Sequence, residues 1–379
     1  MFDTAHIDDA VAWRRDFHRH PELAFEEHRT SDRIAELLSG WGWRVHRRLA
    51  GTGVVAQMGE GAPCIGLRAD IDALPITEAS GVAHASTYAG KMHACGHDGH
   101  TAMLLLAARQ IAQEGVARGT VTLIFQPAEE NEGGARVMIE EGLLRDFPLD
   151  SIYAIHNWPG LAPGRLVARD DKMMAAFAVF DIEIAGQGGH GAMPEQSDGV
   201  ILAASSIAAA LQDIPARAIS PLEPAVLSVT QIHAGSTYNV CPDRAVISGT
   251  ARWFDASSGD VLEDRLHQIS RSVAEAQGCN ARIDYQRRYP ATINAAPQAA
   301  LARQVAQDMG LDTTTAHPSM ASEDFAFMLE EVPGAYLWLG TARAGENPGL
   351  HSPKFDFNDA VLPVGAEFWV RLVRHSLAG

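Results

Sequence analysis

Cysteine is scarce: Cys64, Cys95, Cys241 and Cys279 are the four in a chain of 379 residues. So few thiols cannot build a disulfide framework, and a reducing, cytoplasmic compartment is expected. Long apolar runs are missing too. No stretch of about 18 apolar residues occurs, which argues against a membrane-spanning helix. The opening residues Met1-Phe2-Asp3-Thr4-Ala5-His6 lack the basic start and apolar core of a secretory leader. Basic residues are in deficit, with 30 Lys and Arg against 47 Asp and Glu and a formal charge of −17. That balance argues against nucleic acid and anionic membranes as partners. Neither repeats nor low-complexity tracts appear. The length and the 46% hydrophobic content describe a globular protein with room for two domains.

Metal-capable side chains, by contrast, are concentrated. His93, Cys95, His97, Asp98 and His100 crowd into Met92-His93-Ala94-Cys95-Gly96-His97-Asp98-Gly99-His100. Thiolate and imidazole bind borderline-soft divalent ions well, and the glycines let the backbone bring neighbouring side chains onto one ion. Further ligands must come from elsewhere. Val121-Thr122-Leu123-Ile124-Phe125 reads as a buried strand followed by Gln126-Pro127-Ala128-Glu129-Glu130. Ser151-Ile152-Tyr153-Ala154-Ile155 runs into His156, and Tyr336-Leu337-Trp338-Leu339-Gly340 is followed shortly by His351. In open α/β sheets ligands gather beyond the carboxyl ends of strands, so these segments are expected to converge.

The first third alternates helix-like segments (9–19, 30–41 and 101–113) with strand-like ones (53–58 and 64–69), the pattern of a sheet covered by helices on both faces. The middle differs. A strand at 176–184, an Ala-rich helix at 199–211, strands at 225–232 and 245–252, a helix at 258–277 and a strand near 281–285 give the order βαββαβ. That is a ferredoxin-like unit, and it looks inserted, because helix–strand segments and His351 follow it. The fold class expected is therefore α/β. A central mixed sheet flanked by helices is formed by residues 1–174 and 291–379, and a ferredoxin-like α+β domain occupies 175–290. An exposed edge strand on the insert would pair two subunits, so a homodimer or higher homo-oligomer is expected.

Cys95, His97, Glu130, His156 and His351 make too many ligands for one open catalytic ion, and two divalent ions sharing a bridging group fit better. Mn2+ or Zn2+ is expected, with Co2+ or Ni2+ also compatible with mixed Cys, His and carboxylate ligation. On an extended segment, adjacent carboxylates face opposite sides, so Glu130 would bind metal while Glu129 takes a proton from the attacking water and delivers it to a leaving nitrogen. Asp72 and Asp98 are placed behind the ligands, each fixing the tautomer of a ligating histidine. Ser322, ahead of Glu323-Asp324, is read as the capped start of a helix. Asn239 and Arg252 are candidates for a substrate carboxylate, which Arg grips with two parallel hydrogen bonds.

Six segments carry a family resemblance: Arg68-Ala69-Asp70-Ile71-Asp72-Ala73-Leu74-Pro75, Met92 to His100, Gln126-Pro127-Ala128-Glu129-Glu130, His156-Asn157-Trp158-Pro159, Gly189-His190-Gly191-Ala192-Met193-Pro194 and Ser322-Glu323-Asp324-Phe325. Together with Phe17-His18-Arg19-His20-Pro21-Glu22-Leu23, they resemble the aminoacylase, hippurate-hydrolase and auxin-conjugate amidohydrolase branch of the dinuclear zinc-peptidase superfamily. The resemblance implies a metallopeptidase-like catalytic domain with the insert as lid and dimerisation domain, two metals per subunit, and hydrolysis of N-acyl-L-amino acids. It places metal on the same five ligands and makes Glu129 the general base and acid. It also implies that His190 stabilises the tetrahedral oxyanion, often in a partner subunit. Two features depart from the pattern: Glu195 stands where a histidine is usual, and Arg287 and Arg288 add positive charge near the end of the insert. The competing readings are a dipeptidase or an N-acetyl-diaminopimelate-type deacetylase and, from another class, a catalytically silent small-molecule-binding relative.

Overall fold

The protein is described by a computed structural model covering residues 2–130 and 132–378. Its chain divides into two compact units. The first holds the chain up to Met173, Thr292–His317 and everything from Asp324 onward; the second holds Met174–Ala291 and Pro318–Glu323.

In the first unit, apolar and β-branched runs form β1 (Arg44–Leu49), β2 (Gly53–Glu60), β3 (Cys64–Asp70), β4 (Gly119–Gln126), β5 (Ser151–Trp158) and β6 (Leu166–Val167), with a further strand at Gly334–Gly340. The sheet order is β1-β2-β4-β3-β5, then Gly334–Gly340, then β6. The central strands β4, β3, β5 and Gly334–Gly340 run parallel, whereas β1, β2 and β6 lie antiparallel to their neighbours. Parallel strands are covered on both faces, which is why β4 is buried at every position and reads as a continuous apolar run. Helices α1 (Thr4–Arg19), α2 (His28–Gly40) and α3 (His97–Glu114) pack with the C-terminal helix Leu362–Leu377 around this sheet. Strand β1 escaped the sequence pattern because it is a charged edge strand, exposed at Arg44, His46, Arg47 and Arg48.

α3 begins at His97, earlier than the apolar periodicity from 101 indicates. Gly96, at φ +95°, ends the loop before it and sits at the helix N-cap. The metal-capable string therefore straddles a helix start, with Cys95 in the loop and His97 in the first turn.

The second unit is a four-stranded antiparallel sheet in the order Ala225–Ala234, Arg244–Trp253, Ala176–Ala185, Asn280–Tyr289. Helices Val200–Leu211 and Ala256–Ala276 join these strands, giving the ferredoxin-like arrangement. Phe180, Ile182 and Ile184 alternate onto the face that packs against Ala203, Ile207, Leu262 and Leu266. The six residues Pro318–Glu323 return to this unit, where Ala175 N–H donates to Ser319 O at 3.1 Å and to Ala321 O at 2.9 Å. A pairing so distant in sequence leaves no local pattern, and the boundary at 290 missed it. Ser322 also caps no helix: the next helix, Ala326–Glu331, has Phe325 at its N-cap with no side-chain bond. The Ser322 hydroxyl instead accepts a hydrogen bond from Arg252 Nη1 at 3.3 Å. Among the described residues no helix is long and apolar enough to cross a membrane.

Candidate metal centre

The site is assembled at the carboxyl ends of the parallel strands of the first unit. β3 delivers Asp70 and leads into Asp72, β4 leads into Glu129 and Glu130, and β5 carries His156. His351 comes from the loop after Gly334–Gly340, and its backbone N–H donates to Ala94 O at 2.8 Å, tying that loop to the Cys95 string. Donor atoms of Cys95, His97 and His156 all lie within 4.8 Å of one another, and so do those of Cys95, Glu130 and His351. Cys95 belongs to both groups. A third group of the same tightness holds His97, Glu129 and Glu130.

Hydrogen bonds on the far ring nitrogens decide which imidazoles can bind metal. His97 Nδ1 donates to Asp72 Oδ1 and to Asp72 O, both at 3.0 Å. Its Nε2 is buried with no hydrogen-bond partner among the described residues; Glu130 Oε1 likewise makes no hydrogen bond there, and lies 3.2 Å from His351 Nε2. His156 Nδ1 donates to Asn157 O at 2.7 Å, leaving Nε2 3.4 Å from Cys95 Sγ. In the neutral form of each ring the proton therefore sits on Nδ1, and Nε2 turns its lone pair to the cluster. His100 is closed: Nδ1 donates to Asp70 at 2.6 Å and Nε2 accepts from Asn157 N–H at 2.9 Å.

The electrostatics call for a cation. Burial alone would lower the His97 pKa, yet Asp70, Asp72 and Glu130 raise it to about 10. Burial and the charges of Glu130, Glu129 and Asp70 push the Cys95 thiol well above its ordinary range. Burial holds His156 neutral. Buried negative charge of this density, beside a ring nitrogen of His97 that makes no hydrogen bond among the described residues, suits divalent metal.

Some expected contacts differ. Glu129 and Glu130 do not lie on an extended segment. Ala128 adopts φ +55°, and the turn that follows brings both carboxylates to the same cluster. The Asp72 carboxylate meets His97 Nδ1, whereas that of Asp98 meets His18 Nδ1, at 2.8 Å, and not a ligand candidate. Burial opposes a charge on His18, but Asp98 and Glu78 outweigh it and raise its pKa to about 9. A histidine so raised stabilises the fold fully below its ordinary value of about 6.5 and loses that contribution as pH rises through about 9. The difference in denaturation midpoint between wild type and His18→Gln is expected to shrink over that window; a constant difference would show that the pair carries no charge.

Sequence reasoning assigned no role to Asp70 or Asn157. Asn157 Nδ2 donates to Cys95 O at 2.5 Å, and a Cβ at Gly96 would run into that amide. Gly96→Ala, at a left-handed φ, is expected to cost about 2 kcal/mol and to lower the metal content of the purified protein, read by thermal melting and metal analysis.

His190 and Asn239 lie in the second unit. There Gly189–His190 pairs with Val240–Cys241, and Gly191 N–H donates to Asn239 O at 2.8 Å. His190 Nδ1 accepts from Ala192 N–H at 3.1 Å, so its Nε2 carries the proton in the neutral ring. Arg252 stacks 4.6 Å from the Phe177 ring centroid and donates to Met320 O at 2.9 Å; among the described residues no carboxylate pairs with it. Arg287 is bound to Asp260 and Glu263 rather than offered to a ligand.

The sequence model for peptidase family M20/M25/M40 matches residues 66–375. An IAA-amino acid hydrolase (ILR1-like 4) of Arabidopsis thaliana is 38% identical over 95% of this chain and 84% of its own length. The hippurate hydrolase of Campylobacter jejuni is 36% identical over 95% of this chain and 94% of its own. Among solved structures, the Bacillus subtilis YXEP protein, described as a dinuclear metal binding peptidase from the M20 family, superimposes with a TM-score of 0.86. It shares 33% identity, and 99% of each chain is covered.

Proposed function

The chain belongs to peptidase family M20/M25/M40, and from that membership we propose that it is a metal-dependent amidohydrolase that cleaves N-acyl-L-amino acids to a carboxylate and a free amino acid. It is a hydrolase acting on amide bonds, a reading that the family and relatives named as hydrolases and an amidohydrolase support. The observation that carries the reading is the pair of overlapping donor groups that share Cys95, in which His97 and His156, each held at Nδ1 by a hydrogen bond, turn Nε2 inward beside Glu129.

On this reading Cys95, His97, Glu130, His156 and His351 hold two divalent ions, with Mn2+ or Zn2+ the first choices. Bound there, the ions supply Lewis acidity that polarises the acyl carbonyl and acidifies the attacking water. Glu129 accepts the proton of that water and passes it to the leaving nitrogen. His190 donates to the oxyanion, and Arg252, with Asn239, takes the substrate carboxylate; that no carboxylate among the described residues pairs with Arg252 supports this role. Exposed Ile201, Leu202 and Ile232, the last on the edge strand Ala225–Ala234, support a homodimer formed through the second unit. The scarcity of cysteine supports a cytoplasmic location.

The test is release of free amino acid from N-acetyl, N-benzoyl and longer N-acyl amino acids and from dipeptides, after chelation and after Mn2+, Zn2+, Co2+ or Ni2+ is restored. Activity lost on chelation and regained with metal is expected, and the preferred acyl group defines the pocket. Turnover that survives exhaustive chelation, or none with any metal, would overturn the proposal.

A further inference from the structure

Glu27 is fully buried and has no catalytic role in the reading above. It occupies the N-cap position of α2 without capping it. The free N–H groups of Arg29 and Thr30 are taken by Glu22 instead, at 3.0 and 2.8 Å. Its two oxygens go elsewhere: Oε2 accepts from the Thr52 hydroxyl at 2.6 Å and Oε1 from the backbone N–H of Ala128 at 2.9 Å.

Ala128 is the residue just before Glu129, fully buried and held at φ +55°, a left-handed conformation that favours glycine and that alanine adopts at a cost. Its carbonyl accepts from Gly134 N–H at 2.9 Å. Two residues on, Asp72 Oδ2 accepts from Glu130 N–H at 2.9 Å. The turn that swings Glu129 and Glu130 into one cluster is thus clamped by two buried carboxylates from other parts of the chain. Asp72 also serves His97, whereas the other oxygen of Glu27 is held by Thr52.

Building on the assignment of Glu129 as general base, we infer that Glu27 is a positioning residue for that base: by accepting the Ala128 N–H it holds the strained turn that aims the Glu129 carboxylate. Burial, reinforced by the Asp72 charge, raises the Glu27 carboxyl to about 7. A neutral isostere with an acceptor oxygen therefore suits the position, and glutamine can accept from Ala128 while donating to Thr52.

The test compares wild type, Glu27→Ala, Glu27→Gln, Thr52→Val and Glu129→Gln as full chains loaded with metal. It measures kcat and KM on an N-acyl amino acid that the wild type hydrolyses, metal content, and hydrogen exchange of the peptide that contains Ala128. Glu27→Ala is expected to lose about 10- to 100-fold in kcat at unchanged KM and metal content, with faster exchange in that peptide. Glu27→Gln should restore both readouts, and Thr52→Val should show a smaller loss of the same kind, which serves as the test if Glu27→Ala does not fold. A merely structural role predicts a lower melting temperature with wild-type kcat and exchange. If Glu129→Gln is inactive while Glu27→Ala or Thr52→Val keeps wild-type kcat and exchange, the inference about Glu27 fails alone. If Glu129→Gln turns over normally, the base assignment falls and the inference with it.

Discussion

Glu129→Gln is expected to lower kcat by about 10²- to 10⁴-fold while the protein keeps its metal. The amide has nearly the shape of the carboxylate but cannot take a proton, so proton transfer is lost and little else. Glu129 is 7% exposed, inside a group whose other members are His97 and Glu130. The five proposed ligands are untouched by the change, and metal analysis of the purified variant should match wild type. Cys95→Ser or His351→Ala, in contrast, should lose metal and activity together. Glu129→Gln with wild-type kcat would remove Glu129 from the chemistry. Loss of metal alongside activity would make it a ligand rather than a base.

The largest effect on stability is expected from Arg68→Met. Arg68 lies in β3, 2% exposed, and its side-chain bonds include Nε to Gln126 Oε1 at 2.8 Å, Nη1 to Asp70 Oδ2 at 2.7 Å and Nη2 to Asp324 Oδ1 at 3.1 Å. Its guanidinium carbon stands 5.7 Å from the Phe325 ring centroid. Methionine would fill the space but leave Asp70 and Asp324 as buried charges without their cation. Breaking a buried pair in this way costs about 3–5 kcal/mol. Asp324 also accepts from Ala135 N–H at 2.9 Å and Gln126 Nε2 at 2.8 Å, so the disturbance reaches the segment after β4 that carries Glu129 and Glu130. Denaturant midpoints are the proper readout, because a chain of two compact units need not unfold in one step. Replacing Arg145, whose pair with Asp146 is exposed, should scarcely move the midpoint. Equal small shifts for both arginines would refute the account of the Arg68 cluster.

Much of this architecture is legible in order along the chain. Hydrophobic runs marked β3, β4, β5 and Gly334–Gly340, because strands buried on both faces cannot hide their apolar content. Alternation marked Ala176–Ala185, because one face of that sheet packs on helices. The residue types of the cluster were legible for a chemical reason: thiolate, imidazole and carboxylate at strand ends have few other uses together. What local patterns could not carry was the pairing of groups far apart in sequence. Alanine at 128 gives no sign of a left-handed turn, since it is Glu27, a hundred residues earlier in the chain, that accepts its N–H. Asp98 sits beside His97 in sequence yet serves His18. His97 and His100 differ in ligand capacity only because Asp72 holds the outer nitrogen of one, while Asp70 and Asn157 close both nitrogens of the other. Composition and periodicity report how much of a side chain is buried; a proton's place on an imidazole depends on a partner's direction and distance, and those exist only once the chain has folded.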